Sequence, residues 1–403
     1  MVPREWLWIT GMTENNRRPR TLTRRVMLAF LAAGLAPPVL NKGFAASPEK
    51  KPRPFVGAIR WDAWYSPGSE PTEAVKTSLS PERYRWRTPF FVSPGHDSGS
   101  ISFPAITQAE MDKEIQQAVF AGLDYWAFVA YGSKHPMSKA LYQFRTSTIT
   151  DRLNYCLFTE LDRWGSRAKP TALLQEHIGL MADKNYLRVS GNRPLYYLGF
   201  IAPAAVERNW QGVAGLRGQI EAFRGNATKA ALANPYIVLA GDQNFLIREA
   251  ANIGGDAIGS YALTVGNGRG SFTKLAEIAE RGWDQLRRSH LPVVPTVMTG
   301  WDRRPRIEHP VPWETKQRPG DGIGNFFSAP TQKELADHLT RALDWVAAQT
   351  PSEQAPAVLI YAWNENDEGG WLMPTWPCRT ERLDALHQVL KKTPMPTHKP
   401  ALC

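Results

Sequence analysis

Two glutamates three residues apart, Glu365 and Glu368, stand in the stretch Y-A-W-N-E-N-D-E-G-G-W-L that runs from Tyr361 to Leu372. Trp363 and Trp371 lie on either side of them. Acid/base chemistry on a sugar needs such a set: one carboxyl that holds a proton, one that has lost it, and flat apolar faces for a ring to lie against. The same stretch is also compatible with ordinary turn chemistry, since Asn, Asp and Gly commonly follow a strand.

The pair must be held by something, and the chain supplies a regular frame. Apolar strand-like runs fall at 55–59, 125–130, 154–159, 194–200, 236–240, 257–261, 293–298 and 357–361. Amphipathic helical stretches lie near 109–121, 137–144, 171–184, 213–223, 246–253, 272–289 and 331–348, with a last one at 379–391. Runs that are apolar on both faces and separated by helices predict a parallel sheet covered by helices. About eight such units in a row fit a single (β/α)8 barrel. Residues 66–108 are too long for an ordinary strand-to-helix loop, and their Trp86, Phe90, Phe91 and Phe103 argue for a structured cap at the mouth. Residues 303–327 form a second candidate wall.

A barrel places its working groups at the C-terminal ends of its strands. The first run ends in Trp61, Asp62, Trp64 and Tyr65, the second in Tyr131, the third in Glu160, the fifth in Asp242, and the sixth at Tyr261. The seventh gives Trp301, Asp302, Arg303 and Arg304, and the eighth gives Trp363, Asn364, Glu365, Glu368 and Trp371. One rim thus gathers carboxylates, Trp, Tyr and Arg. The catalytic pair is Glu365 and Glu368, and the others are the expected substrate-binding set. For any one of them, a buried ion pair or a core aromatic is the simpler reading; the set as a whole points to a site.

Composition narrows the classes further. The chain has 43% hydrophobic and 21% charged residues, as a globular protein does, and its 15 Trp exceed what a core requires. The net charge of +10 is concentrated at the start, where residues 1–46 carry seven basic residues against two acidic ones. Arg24-Arg25 before an apolar stretch, with Gly43-Phe44-Ala45 as a small-x-small cleavage site, reads as a Tat-type export signal. That apolar stretch is too short to span a bilayer. The expected organisation is therefore a leader at 1–46, a Pro/Lys linker at 47–54, the barrel at 55–395 and a tail at 396–403. The mature protein is expected in the periplasm or outside, with the Tat machinery as partner of the precursor and no membrane span of its own. No basic stripe suits nucleic acid, the His residues lack metal-ligand spacing, and the Gly clusters lack a phosphate-binding pattern. No cofactor or metal is expected. Cys156 reads as core, while a bridge between Cys378 and Cys403 would staple the C-terminus.

The motif W-N-E-N-D-E-G-G-W-L-M-P resembles the final-strand motif N-E-W-x-E-G-x-x-x-E-P of glycoside hydrolase family 99 and of the related WbsX-like proteins. Gly300-Trp301-Asp302-Arg303-Arg304-Pro305 resembles their G-[YW]-D-x-x-x-R-P segment, and residues 158–164, F-T-E-L-D-R-W, faintly resemble the WbsX N-E-N-W-x-x-x-W segment. The resemblance implies a retaining cleavage of α-mannosidic bonds in which the sugar's own 2-hydroxyl takes part. It makes Glu365 the ionised base and Glu368 the proton-bearing acid, whose pKa is raised by its neighbour's charge. The chain departs from the pattern at Asn366, where the motif has Trp, and at Met373, where it has a later Glu.

These observations point to an exported glycoside hydrolase acting, as the resemblance implies, as an endo-enzyme on a poly- or oligosaccharide, which the positive balance would allow to be anionic. Three alternatives stay open. Arg303, Arg304 and Arg306 could hold a uronate for a polysaccharide lyase, the WbsX resemblance implies a glycosyltransferase, and the Trp residues alone would serve a non-catalytic carbohydrate-binding protein.

Overall fold

A computed structural model describes residues 53–94, 101–264, 268–391 and 402–403. The leader, most of the linker and most of the tail lie outside the described residues. Eight parallel strands form a nearly closed barrel: β1 (Phe55–Arg60), β2 (Tyr125–Val129), β3 (Asn154–Glu160), β4 (Arg193–Ile201), β5 (Tyr236–Gly241), β6 (Ala257–Gly259), β7 (Thr296–Met298) and β8 (Ala357–Tyr361). The hydrogen-bonded order is β6-β5-β4-β3-β2-β1-β8-β7. The remaining seam is spanned by a bridge between Ile258 and Val293.

All eight expected strands are present, and the fold is the (β/α)8 barrel that their spacing predicts. Every residue of β2 and β8 is buried, as expected for strands sealed by side chains within and helices without. Gly57 on β1 shows how tightly the interior is filled. A Cβ there would lie 2.4 Å from the Tyr125 ring, whose hydroxyl reaches Tyr197 at 2.8 Å and the Val358 carbonyl at 3.0 Å. β7 starts at Thr296 and not at 293 because Pro292 and Pro295 lack the N–H a ladder needs.

The helices follow their sequence signals closely. Gln108–Ala121 opens with a capping box between Thr107 and Glu110 and ends at Gly122, whose φ of 89° suits a residue without Cβ. Three helices are additional to the expected set: Glu70–Leu79, Pro203–Trp210 and Arg304–Glu308. Each begins with Pro in its first turn, where the missing N–H costs nothing.

The described residues of 66–108 are structured, as their aromatics predicted. They hold the helix Glu70–Leu79, a tight turn at Glu82–Arg87, and a pairing of Ser93–Pro94 with Ile101–Ser102. Arg87 anchors this segment to the loop after β7, donating to the Asp302 carbonyl at 3.0 Å and pairing with its carboxylate. The Arg87 carbonyl in turn accepts from Asn366 at 2.6 Å. The segment is thereby fixed beside the two glutamates.

Candidate active site

Glu365 and Glu368 are carried on a small hairpin beyond β8. Asn364–Glu365 pairs antiparallel with Gly370–Trp371, and Asn366–Glu368 forms a 3-10 turn between them. The turn closes at Gly369, at φ 88°, where a Cβ would meet the Asp302 backbone nitrogen at 2.4 Å. Glycine there lets the loops after β7 and β8 touch, and the Asp302 N–H donates to the Glu368 carbonyl at 2.7 Å.

That contact brings Arg306 over the hairpin. Its guanidinium meets Asp367 at 2.6 and 3.1 Å, Glu368 at 2.5 Å, Glu365 at 3.2 Å and Glu314 at 3.4 Å. Arg303 pairs with Glu314 and lies 3.1 Å from Glu368. Trp61 and Trp313 lie 5.1 and 5.8 Å from the Arg306 guanidinium. Two cations thus face four carboxylates in a site where the Glu365 side chain is 2% exposed and that of Glu368 not at all. Unbalanced negative charge in so dry a place favours uptake of a proton.

The charges around the pair favour the proton on Glu365, the opposite of the sequence expectation. Burial, together with the charges of Glu368 and Asp367, holds the Glu365 carboxyl well above the ordinary range, against the pull of Arg306 and Tyr261. Burial pushes Glu368 up as well, but Arg306 and Arg303, with the hydroxyl of Tyr361, bring it below the ordinary value. The physical reason is unequal access to the guanidinium groups. Glu368 is shared by both arginines, whereas Glu365 receives one longer contact from Arg306 and a 2.6 Å hydrogen bond from Tyr261.

The rest of the expected rim divides into a floor and a mouth. The floor is a buried truss. Arg60 pairs with Asp62 and Glu114, both at 2.8 Å, and Glu114 also accepts from the Trp363 indole at 2.6 Å and from Tyr65. Asn364 reaches Asp62 at 3.1 Å and accepts the Trp61 N–H at 2.8 Å, and its carbonyl accepts from the Trp64 indole at 3.1 Å. Trp64, Tyr65 and Trp363 are fully buried. They brace the hairpin and are not open stacking faces. Trp371 is buried too, with the Arg382 guanidinium 3.6 Å from its ring centre and Trp86 at its edge. Asp302 is engaged by Arg87 and Arg304, and Arg304 also lies 3.6 Å over Phe326.

The mouth keeps Tyr131, Glu160, Trp301 and Arg303 partly exposed. Tyr131 accepts from the Trp61 indole at 2.9 Å and carries the Arg163 guanidinium 3.8 Å over its ring, while Arg163 pairs with Glu160 at 3.0 Å. Burial, with the charges of Glu160 and Glu365, pushes the Tyr131 phenol up, against the pull of Arg163. Tyr261 is nearly buried beside Glu365. Asp242 caps the helix Gln243–Ile253, accepting from Phe245 N–H at 2.8 Å.

The rim set did not include Arg306, Glu314, Asp367, Tyr361 and Arg163. Arg306, which the sequence marked only for the lyase alternative, and Glu314 lie within the second expected wall, and the concentration of charge in so long a loop was the one signal of Glu314. Nothing local marks Tyr361, which reads as the end of an apolar strand.

The fold is similar to that of the GH99 endo-alpha-mannosidase from Bacteroides thetaiotaomicron, at 12% identity and a TM-score of 0.52, covering 84% of this chain and 96% of that one. The same enzyme in complex with Bis-Tris propane matches at 12% identity and a TM-score of 0.50, over 84% and 95% of the two chains. At that identity the similarity is one of fold. No family model matches the sequence, and no curated protein matches it.

Proposed function

We propose that the protein is an exported glycoside hydrolase that cleaves glycosidic bonds in a poly- or oligosaccharide through Glu365 and Glu368. The observation that carries this reading is the pair itself: two carboxyls on one hairpin at the C-terminal end of β8, with one pushed up and the other held down. Glu365 donates its proton to the glycosidic oxygen as the bond breaks; water then adds to the anomeric carbon and returns a proton to Glu365, leaving a new reducing end. Glu368 stays ionised; its charge keeps that proton in place and offsets the positive charge that develops on the sugar ring. The partly exposed Trp301 offers the aromatic surface. The similarity in fold to a GH99 endo-alpha-mannosidase supports the class and suggests family 99-like, endo-acting cleavage. The bridge between Cys378 and Cys403 supports a periplasmic or external site of action, since such bonds persist in oxidising compartments.

The lyase reading loses its cations, because Arg303, Arg304 and Arg306 are already committed to Glu314, Asp302, Asp367 and Glu368. One observation favours a non-catalytic carbohydrate-binding protein: Glu368 is fully buried with both oxygens engaged.

The test is to incubate residues 47–403 with a panel of polysaccharides and measure new reducing ends alongside ultraviolet-absorbing unsaturated uronate. Reducing ends alone are expected, lowered at least about a hundredfold in Glu365→Gln. Activated aryl glycosides, whose leaving group needs no proton, should restore that variant and leave Glu368→Gln inactive. Binding without cleavage, identical in wild type and both variants, would establish the binding protein instead.

A further inference from the structure

We infer that Arg306 is a positioning residue whose guanidinium, divided unevenly among four carboxylates, fixes which glutamate of the pair carries the proton. The inference rests on the proposed reading only in giving that proton a use; its test is independent of turnover.

The division is visible in the contacts. Asp367 takes two nitrogens of Arg306 at 2.6 and 3.1 Å, and Glu368 takes a third at 2.5 Å. Glu365 and Glu314 are left with 3.2 and 3.4 Å. A guanidinium cannot lose its own proton, and its planar fork serves two carboxylates along fixed directions. It is also wedged: Arg306 is buried in the helix Arg304–Glu308, beside Trp61 and Trp313. It therefore cannot swing toward Glu365 when a proton leaves.

Of the other charged or titratable groups around Glu365, Arg303 alone leans the same way, and less firmly. Tyr261, Tyr361 and Tyr131, presented after β6, at the end of β8 and after β2, are all pushed up by burial and stay neutral. Arg303 favours Glu368 over Glu365 but is spread between Glu368 and Glu314 and is 16% exposed. Asp367 and Glu368 add charge that favours the protonated form of Glu365, and both are held in place by Arg306.

Infrared spectroscopy in heavy water reports the protonated carboxyl directly, through the carbonyl stretch of an un-ionised side chain. Asp62, raised by burial to about 6, contributes below that pH, so the band is read above it. In wild type one band is expected there, and Glu365→Gln should abolish it. In Arg306→Met a second carboxyl should take up a proton, so that Arg306→Met/Glu365→Gln keeps a band that the Glu365→Gln single variant lacks. Arg306→Lys retains the charge and serves if the Met variant fails to fold; its band should titrate at least about one pH unit away from the wild-type midpoint. Persistence of the wild-type band in Glu365→Gln would overturn the inference. So would wild-type titration in the folded Arg306 variants. A chain without hydrolase activity would still give either answer, so the two readings fail separately.

Discussion

Tyr261 donates its hydroxyl proton to Glu365 Oε1 at 2.6 Å, joining the residue after β6 to the hairpin beyond β8. This bond favours the ionised carboxylate, opposing the burial that holds the carboxyl protonated. Tyr261→Phe should therefore raise the Glu365 pKa further. The alkaline limb of kcat/KM should move to higher pH, as measured on any substrate the panel identifies, with the fold intact by circular dichroism. A limb that moves down would show that Tyr261 does not act on Glu365 in this way.

The two glutamates should respond oppositely when stability is measured against pH. Glu365 binds its proton more tightly when folded, so its contribution is full below the ordinary value of 4.5 and is drawn down as pH rises toward its raised folded value. Glu365→Gln removes that loss and should raise Tm at neutral pH, by an amount that scales as about 1.4 kcal/mol per unit of displaced pKa. Glu368 has the reverse sign: its contribution is present above 4.5 and is lost as pH falls through its lowered folded value. Glu368→Gln should lower stability at neutral pH by about 1–3 kcal/mol, the scale for leaving a buried donor short of its partner, and the deficit should shrink in acid. Denaturant melts at several pH values check both signs.

Trp301 is half-buried against Tyr361, with ring centres 5.7 Å apart, whereas Trp371 is enclosed. Trp301→Ala should weaken saccharide binding by about 1–3 kcal/mol with a small change in Tm. Trp371→Ala should instead lower Tm, at a cost of about 3–5 kcal/mol, the scale for truncating a buried Trp. Calorimetric titration beside thermal melts separates the two.

Cys378 and Cys403 close a loop of 25 residues and hold Leu402 in a buried position, where its carbonyl accepts from Gln117. Opening that loop, by Cys403→Ser or by reductant, should cost about 3.5 kcal/mol on the chain-entropy scale. A melt that does not change on reduction would show that the C-terminus holds without it.

Much of the barrel was legible because each strand is an apolar run with its own boundaries, and β8 begins and ends where that run does. The floor of the site was harder to see. Trp363 and Trp64 have the composition of sugar platforms, and only their long-range partners, Glu114 and the Asn364 carbonyl, reveal them as bracing. The bias that the site puts on the proton was hidden for a related reason. It depends on Arg306, some sixty residues away, and no spacing within the W-N-E-N-D-E motif encodes which glutamate that guanidinium favours.

The truss under the glutamates also dictates an order of assembly. Asn364 is hydrogen-bonded to Asp62 and to the Trp61 backbone across some three hundred residues, and Trp363 hangs from Ile59 and Glu114. The hairpin has no footing until the last strand has docked beside the first. Every shorter piece emerging during synthesis lacks the floor on which the hairpin stands, so the chemistry should arrive only with the closing of the ring, late and all at once.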